Sequence, residues 1–286
     1  MKNYRAIADT YRDDLQSYYN QDESRQLFLL AFSHITGMKS AQFGLMQQST
    51  PNSAMTEQFL SILAELATGR PIQHILGKAD FYGESFYVNA HTLIPRPETE
   101  ELVDLIIRNH PDSGLRVLDV GTGSGCIAIS LAKHLSGARV SAIDISADAV
   151  AVARRNADHL EVDVQFVIAD ILEWDLILQA DQQFDIIVSN PPYITPKEQA
   201  EMHPNVLRHE PHTALFVEEH NPLLFYNAIA DLAKVHLAVG GVLYFEINQY
   251  LGPETVDLLQ KKGFTSVELL QDINGADRMI RASIKN

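Results

Sequence analysis

The spacing of apolar residues predicts helices in the N-terminal part of the chain. From about residue 4 to residue 69, apolar positions recur at helical spacing and no strand pattern occurs. One predicted helix ends at Gly37 and carries the apolar residues Leu27, Phe28, Leu30, Ala31 and Ile35. A further helix is predicted from Asn52 or Ser53 to Gly69, with an apolar face formed by Phe59, Leu60, Leu63 and Leu66. These segments are expected to form a small helical bundle.

The pattern changes after residue 71. Residues 81–88 predict two short strands around a turn at Gly83, which is typical of a β-hairpin. Residues 93–100 then lead into an amphipathic helix, and Thr99 or an acidic neighbour is expected to cap it. Arg96 stands between two prolines that hold the backbone extended. The arginine is therefore expected either near a functional site or in a surface ion pair.

From residue 116 onward, strand patterns alternate with helical patterns. Helices are predicted from about residues 127, 147 and 223, and strands at residues 116–120, 139–143, 164–169, 184–189 and 242–247. This alternation is typical of a parallel sheet covered by helices. Two closely spaced strands, 266–270 and 279–284, predict a hairpin and hence an antiparallel edge strand on an otherwise parallel sheet.

Composition and charge narrow the class of protein. The 286 residues are 46% hydrophobic and 21% charged, which is typical of a soluble globular chain. No apolar run reaches membrane-spanning length and no signal peptide is recognisable, so we expect a cytoplasmic protein without membrane contact. The net charge of −15 argues against tight binding to duplex nucleic acid. It suits a basic protein partner, or simply solubility. The single cysteine, Cys126, excludes an internal disulfide and is expected in the core.

A stiff loop follows the predicted strand 184–189. Proline lacks an N–H group and has a fixed φ, so neither Pro191 nor Pro192 continues a sheet ladder. The loop leaves the side-chain oxygen of Asn190 and the carbonyl of Pro191 at the carboxyl end of a strand. Two such acceptors suit a planar –NH2 group, and the ring of Tyr193 can pack against its flat face.

An –NH2 group of this kind points to a particular chemistry. Amide and aromatic amine nitrogens are poor nucleophiles because their lone pair is delocalised. Acceptors that pull on both N–H bonds raise the electron density on nitrogen and aim it at an electrophile. Taken alone, residues 190–193 support this site and an ordinary Pro-Pro turn equally well.

A glycine-rich loop follows the first strand of the predicted sheet. It consists of Gly121, Thr122, Gly123, Ser124 and Gly125. A dinucleotide motif would require glycine where Cys126 stands, and no Walker lysine follows. Asp144 ends the second strand, where a carboxylate can accept both ribose hydroxyls. Asp170 and Ile171 follow the third strand, where they can meet an adenine amine and ring face, although each aspartate taken alone could instead cap a helix. The set favours an adenosine-type ligand such as S-adenosylmethionine.

Several motifs in their order resemble the release factor glutamine N5-methyltransferases, the PrmC/HemK family. The resemblance covers nearly the whole chain and rests on residues 69–77, 81–83, 93–100, 121–125, 190–194 and 210–211. It implies an α/β fold: a class I, Rossmann-like methyltransferase domain with a seven-stranded, mostly parallel sheet, a small N-terminal helical bundle and a connecting β-hairpin. The implied domains are 1–75 for docking the release factor, 76–92 for the hairpin and 93–286 for methyl transfer.

The resemblance also implies a substrate and site residues. The substrate is the glutamine of the Gly-Gly-Gln motif in class I peptide chain release factors. S-adenosyl-L-methionine is expected to bind to Gly121 to Gly125, Asp144, Asp170, Ile171 and Asn190. The substrate amide is expected to bind to Asn190, Pro191, Pro192 and Tyr193, with Phe81 or Arg96 at the entrance. Of these residues, Asn190, Pro191 and Tyr193 are expected to be catalytic. One departure from the family pattern is Asn248, where glycine is expected; this position is predicted to lie off the catalytic edge.

These elements suggest a direct, in-line transfer of the methyl group to nitrogen, with neither a metal nor a covalent enzyme intermediate. We expect the protein to be a monomer. Positioning would supply most of the rate. One rival is an adenine-N6 DNA methyltransferase, because the adenine amine offers the same two donors; the negative charge weighs against it. A second rival is a catalytically silent adaptor that binds release factors.

Overall fold

The computed structural model describes residues 2–179, 181–199 and 204–284. The chain divides into two compact units. The first comprises Met1–Gly77 and His203–His209, and the second comprises Lys78–Met202 and Glu210–Asn286. The functional boundaries expected after residues 75 and 92 stay a prediction.

The first unit is helical, as the apolar spacing predicts. Its helices are α1 (Tyr4–Leu15), α2 (Gln21–Thr36), α3 (Phe43–Met46), α4 (Ser53–Leu66) and α5 (Ile72–Leu76). Side chains of Asn3, Asn20 and Asn52 cap three of them by accepting backbone N–H bonds. Gly37, with φ of 70°, ends α2 as predicted.

Aromatic side chains form the centre of this unit. Tyr11, Phe28, Phe32 and Phe59 are fully buried, and the Tyr11 hydroxyl donates to the Phe59 carbonyl at 2.7 Å. The predicted apolar face of α4 is wrong at one position, Leu60, which is 45% exposed. A helix presents only a limited stripe to its neighbours, and Ile62 occupies the buried position instead.

The second unit contains the strands. Its helices and strands are β1 (Lys78–Phe81), β2 (Glu84–Tyr87), α6 (Pro97–Asn109), β3 (Arg116–Val120), α7 (Cys126–His134), β4 (Arg139–Asp144), α8 (Ala147–Leu160), β5 (Val164–Ile168), β6 (Phe184–Ser189) and α9 (Pro196–Gln199). After α10 (Pro204–His209), which belongs to the first unit, come α11 (Leu224–His236), β7 (Leu237–Glu246), α12 (Gly252–Lys261), β8 (Ser266–Gln271) and β9 (Asp277–Ser283). Short 3-10 helices lie at Ser40–Gln42, Ile171–Leu176 and His212–Ala214.

Seven strands form one sheet in the order β5-β4-β3-β6-β7-β9-β8. The pairs among β5, β4, β3, β6 and β7 are parallel, and β9 is antiparallel to both of its neighbours. The predicted mostly parallel, seven-stranded sheet is therefore confirmed. The prediction of an antiparallel edge strand is wrong. The last strand of the hairpin, β9, returns between β7 and β8, so the antiparallel strand is internal.

The parallel register brings four loops to one edge of the sheet. Val120 of β3 pairs with Ile143 and Ser189, Ser189 pairs with Phe245, and Asp144 pairs with Ile168. The residues that follow these positions leave the sheet on the same side, as in other open α/β sheets that bind ligands there.

The predicted hairpin around Gly83 is confirmed. Tyr82 and Gly83 both have positive φ, 48° and 80°, which gives the tight turn between β1 and β2. Asn156 of α8 accepts from the Tyr87 N–H at 2.7 Å and donates to the Tyr87 carbonyl at 3.0 Å. The same amide donates to the Ser124 carbonyl at 2.8 Å. One buried side chain thus connects the hairpin with the glycine-rich loop.

A buried carboxylate supports the glycine-rich loop from below. Asp119 of β3 is fully buried and accepts from the Thr122 hydroxyl at 2.6 Å. Loss of hydration raises the pKa of Asp119 to about 7, against the opposing effects of the Thr122 hydroxyl and the Ala128 N–H. Cys126 is buried, as predicted, and burial raises the pKa of its thiol to about 12.

None of the helices in the described part of the chain combines the length and apolar composition that a membrane span requires.

Substitutions at Gly125 and Gly123 separate the effect of packing on stability from the effect of backbone strain. A Cβ there would lie 2.9 Å from the Ile129 side chain and 3.1 Å from the Ala153 Cβ, and its φ is +81°. Gly123 has φ of +56° and no atom within 4 Å of such a Cβ. We expect Gly125→Ala to lower the free energy of unfolding by about 2–4 kcal/mol and Gly123→Ala by about 1–2 kcal/mol. Denaturant unfolding followed by fluorescence of Trp174, the single tryptophan, measures both. Equal losses would contradict the packing argument.

Asp119 predicts a pH-dependent stability. Because its pKa is raised to about 7 from an ordinary value of 3.8, the folded chain keeps a proton that the unfolded chain releases. This contribution is present below about pH 4 and is lost as the pH rises through about 7, by up to about 1.4 kcal/mol per pH unit. The stability of Asp119→Asn relative to wild type should therefore rise between about pH 4 and pH 7 and stay constant above it.

The measurement is Trp174 fluorescence during denaturant unfolding at each pH. Asp158→Asn, on the exposed surface of α8, is the matched control. Stability curves of Asp119→Asn and wild type that stay parallel across this range would contradict the prediction.

Candidate active site

A cavity of about 340 Å³ opens at the carboxyl edge of the sheet. The loops that follow β3, β4, β5 and β6 supply most of its wall. Among its lining residues are Gly121, Gly123, Asp144, Asp170, Ile171, Asn190, Pro191 and Pro192. The register of the parallel strands therefore brings together residues that lie far apart in the sequence.

The five residues predicted to bind the cofactor in the glycine-rich loop divide into two groups. Gly121 and Gly123 line the cavity. Thr122 and Ser124 are buried, and Gly125 packs against α8, so these three lie behind the lining. They shape the loop, and a direct cofactor contact from them stays a prediction.

Asp144 lies at the end of β4 and faces this loop. Its carboxylate accepts from the Gly123 N–H at 2.8 Å and from the Ser146 N–H at 2.9 Å. Burial raises the pKa of Asp144, and these backbone N–H groups oppose that rise. A carboxylate offers about four acceptor sites. The two bonds therefore leave capacity for hydroxyl donors in the cavity.

Asp170 caps a helix and also lies in the cavity lining, and its predicted contact with adenine stays a prediction. Its carboxylate accepts from the Leu172 N–H at 2.9 Å and so caps the 3-10 helix Ile171–Leu176. It also lines the cavity, together with Ile171 and Leu172. A polar group thus stands beside apolar side chains, which suits the edge and face of a heteroaromatic ring.

Asn190 also lines the cavity, and its orientation is held from behind. Its amide nitrogen donates to the Thr99 hydroxyl oxygen at 3.3 Å. The Thr99 hydroxyl donates to the Glu246 carboxylate at 2.6 Å. Thr99 is 3% and Glu246 is 1% exposed.

The expected cap role for Thr99 or an acidic neighbour is wrong, since α6 begins at Pro97 after Arg96 without a side-chain cap.

Tyr193 lies behind the cavity rather than in its lining. Its hydroxyl donates to Glu246 at 3.1 Å, and burial, followed by the charge of Glu246, raises the pKa of Tyr193 far above its usual value. The carbonyl of Tyr193 accepts from the Asn248 amide at 3.0 Å. A contact between the tyrosine ring and a substrate stays a prediction.

Asn248 lies at the carboxyl edge of the sheet, where the cavity opens, so the expectation that it lies off this edge is wrong. It follows β7, whose carboxyl end adjoins that of β6. Besides Tyr193, its amide donates to the Glu198 carboxylate at 2.8 and 2.9 Å. The departure from the family pattern therefore adds hydrogen bonds to the loop that carries Asn190.

The two residues predicted at the entrance are both outside the cavity lining. Phe81 is 1% exposed and packs edge-to-face against Phe86 in the core. Arg96 donates to the Glu210 carboxylate at 2.5 Å, and Glu210 also accepts from the Ile94 N–H at 3.1 Å. Their substrate contacts stay predictions.

Sequence reasoning missed two carboxylates and part of the apolar wall. Asp119 and Glu246 each stand within a predicted buried strand, and a charged residue at such a position was the available signal. Ile145 lines the cavity although it is 60% exposed. Its position directly after Asp144 was the signal for an apolar contact beside the carboxylate.

Comparisons with known proteins agree with this geometry. A family model described as a PrmC N-terminal domain matches residues 11–77, and one described as a methyltransferase domain matches residues 111–254. Among solved structures, the Thermus thermophilus 16S rRNA methyltransferase RsmC, in complex with AdoMet and guanosine, has a TM-score of 0.51 at 20% identity. The match covers 73% of this chain and 50% of that one, and it supports the Rossmann-like methyltransferase fold.

Curated relatives match along the whole chain. The release factor glutamine methyltransferase of Flavobacterium psychrophilum is 46% identical over 289 residues, which cover 100% of this chain and 99% of the relative. The protein of the same name from Bacteroides thetaiotaomicron is 42% identical over 277 residues, which cover 97% and 99%. The chain therefore belongs to the release factor glutamine methyltransferase family.

Proposed function

We propose that the protein transfers a methyl group from S-adenosyl-L-methionine to the side-chain amide nitrogen of the Gly-Gly-Gln glutamine in class I peptide chain release factors. The observation that carries this proposal is the single cavity shared by the glycine-rich loop and the Asn190 loop. A Cβ built on Gly121 would lie 4.0 Å from the Asn190 carbonyl oxygen. A methyl donor on the first loop would therefore adjoin an amide on the second.

The residues present fit S-adenosylmethionine. Gly121 and Gly123 have positive φ, and a Cβ at Gly123 would project into open space that glycine leaves to a ligand. Asp144 offers acceptors for ribose hydroxyls, and Asp170 with Ile171 offers an acceptor and an apolar face for adenine. When bound, the cofactor supplies an electrophilic methyl group on a sulfonium.

The chain's own contribution is to position the nucleophile. The Asn190 amide nitrogen is directed at Thr99, so its oxygen is available to accept an N–H bond from the substrate amide. The Pro191 carbonyl is the second proposed acceptor, and Pro192 stiffens the backbone that holds both. Ideal orientation is worth roughly 7–11 kcal/mol of a reaction barrier, and this arrangement recovers part of it. The proton of the amide leaves to water after transfer.

The protein substrate is expected to dock through the helical N-terminal residues. The net charge of −15 suits a basic partner, and we propose that the enzyme acts as a monomer in the cytoplasm. A DNA substrate is the rival for the same –NH2 chemistry, and the charge opposes it.

The experiment that tests the function uses purified protein, methyl-labelled S-adenosylmethionine, and either a class I release factor or adenine-containing duplex DNA. We expect one labelled methyl group on the Gly-Gly-Gln glutamine, located by mass spectrometry of the digested release factor, and none on DNA. A release factor in which this glutamine is replaced by alanine is the substrate control. Transfer to DNA alone would support the rival, and no transfer to either would reject the proposal.

Asn190→Ala should separate catalysis from cofactor binding. The variant loses an acceptor at the reacting nitrogen, so kcat should fall by about 10²–10³-fold. The Kd for the cofactor, measured by calorimetry, should change less than about threefold. Asn227→Ala, on the exposed face of α11, is the matched control. An unchanged kcat in Asn190→Ala would remove this role.

Asp144→Ala should weaken cofactor binding more than it lowers kcat, the reverse of Asn190→Ala. Losing hydrogen bonds to a charged group costs about 1.5–3 kcal/mol, so the Kd for S-adenosylmethionine should rise about 10–100-fold while kcat at saturating cofactor falls less. Because the pKa of Asp144 is raised by burial, affinity of the wild type should weaken as the pH falls. Asp158→Ala serves as control, and an unchanged Kd in Asp144→Ala would contradict the assignment.

A further inference from the structure

A chain of hydrogen bonds runs from the cavity into the core of the second unit. It begins at the Asn190 amide, passes through the Thr99 hydroxyl and ends on the Glu246 carboxylate. The second carboxylate oxygen accepts from the Tyr193 hydroxyl at 3.1 Å. Thr99 and Glu246 are separated by 147 positions in the sequence. Two of the four groups, Asn190 and Tyr193, belong to the same loop.

The number of protons that these side chains can donate determines the direction of each hydrogen bond. A threonine hydroxyl has one proton, and here that proton is committed to Glu246. The Thr99 oxygen can then only accept, so its partner on Asn190 must be the –NH2 half of the amide. The carbonyl half of Asn190 is thereby turned to the opposite side.

This orientation matters because asparagine is ambiguous. The two halves of its amide are nearly the same size, and one donates while the other accepts. An asparagine that presented its –NH2 group to the cavity would meet the –NH2 group of a substrate donor to donor. The site therefore needs an interaction that excludes this orientation of the Asn190 amide.

We propose that Thr99 and Glu246 are positioning residues that fix the Asn190 amide with its oxygen toward the substrate. This inference rests on the proposed function. Neither residue lines the cavity, so each acts through Asn190 rather than on the substrate. Glu246 accepts hydrogen bonds from two hydroxyl groups. Because the Thr99 hydroxyl donates to Glu246, its oxygen accepts from the Asn190 amide.

The surroundings of Glu246 act on its pKa in both directions. Burial raises its pKa, whereas the hydroxyls of Thr99 and Tyr193 and the positive charge of Arg278 oppose that rise. Glu98 adds a smaller effect in the direction of burial. A buried carboxylate is retained here with hydrogen-bond donors on both oxygens, which is the condition under which such burial is tolerated.

Three variants test the direction of these hydrogen bonds without large changes in side-chain volume. Thr99→Val removes the hydroxyl, Thr99→Ser keeps it, and Glu246→Gln replaces one acceptor oxygen by an –NH2 donor that can reverse the direction of the bonds. We expect Thr99→Val and Glu246→Gln to lower kcat by about 10–100-fold, a loss comparable to that of a single positioning hydrogen bond. Thr99→Ser should restore most of the turnover. The Kd for S-adenosylmethionine should stay within about threefold in all three.

A second readout does not depend on activity. With ¹⁵N-asparagine labelling, the side-chain amide signal of Asn190 is identified by its absence in Asn190→Ala. In the wild type we expect slow hydrogen exchange of this amide, and in Thr99→Val at least tenfold faster exchange. Thr99→Ser should resemble the wild type, and thermal unfolding of each variant shows that it is folded.

The outcomes separate this inference from the proposed function. If the wild type transfers no methyl group to a release factor, the proposed function fails, and the exchange measurement still decides whether Thr99 holds the amide. If the wild type is active and folded Thr99→Val turns over at the same rate, the positioning inference alone is overturned. Equal impairment of Thr99→Ser and Thr99→Val would overturn it as well, because only a hydroxyl distinguishes the predicted effect.

Discussion

The parallel pairing of β3 with β6 is the constraint on which the site depends. Val120 and Ser189 lie opposite each other in this register, and the Ser189 hydroxyl donates to the Val120 carbonyl at 2.6 Å. The next residue of each strand, Gly121 or Asn190, then leaves the sheet at the same height. A shift by one residue would turn every side chain of the strand to the other face. The juxtaposition of the glycine-rich loop with the loop that carries Asn190 is therefore fixed by ladder hydrogen bonds and by the apolar side chains around them.

The strands and the motifs at their ends could be predicted from the sequence because both are local signals. Runs of β-branched residues indicate buried strands, and glycine and proline mark where those strands end. The partner of a side chain across the sheet is not a local property. Thr99 resembles a helix cap in sequence, yet its hydroxyl bonds to Glu246 of β7. Likewise, the motifs that contain Arg96 and Phe81 do not reveal that Arg96 pairs with the buried Glu210 or that Phe81 packs against Phe86 in the core. Pairs of this kind depend on tertiary packing, which the pattern of apolar residues does not specify.

Two buried carboxylates show how the fold supports the edge of the sheet. Removing a carboxylate from water is costly unless hydrogen bonds compensate for the lost hydration. Asp119 supports the turn of the glycine-rich loop through Thr122, and Glu246 holds Thr99 and Tyr193. In both cases the acceptor belongs to a strand and the donor belongs to a loop or to the first turn of a helix. The rigid sheet thus imposes an orientation on groups whose own backbone is irregular, at the edge where precise orientation is needed.

The loop that carries Asn190 is also closed on its far side. The Ile194 N–H donates to the Leu215 carbonyl at 2.9 Å, and the Val217 N–H donates to the Ile194 carbonyl at 3.0 Å. The chain therefore leaves the site and returns to it at nearly one point, and the intervening segment supplies Pro204–His209 to the first unit. Asn248 adds a bond to the Tyr193 carbonyl just before this closure. Because these bonds fix the backbone on both sides of residue 194, contacts within the second unit set the positions of Asn190 and Pro191.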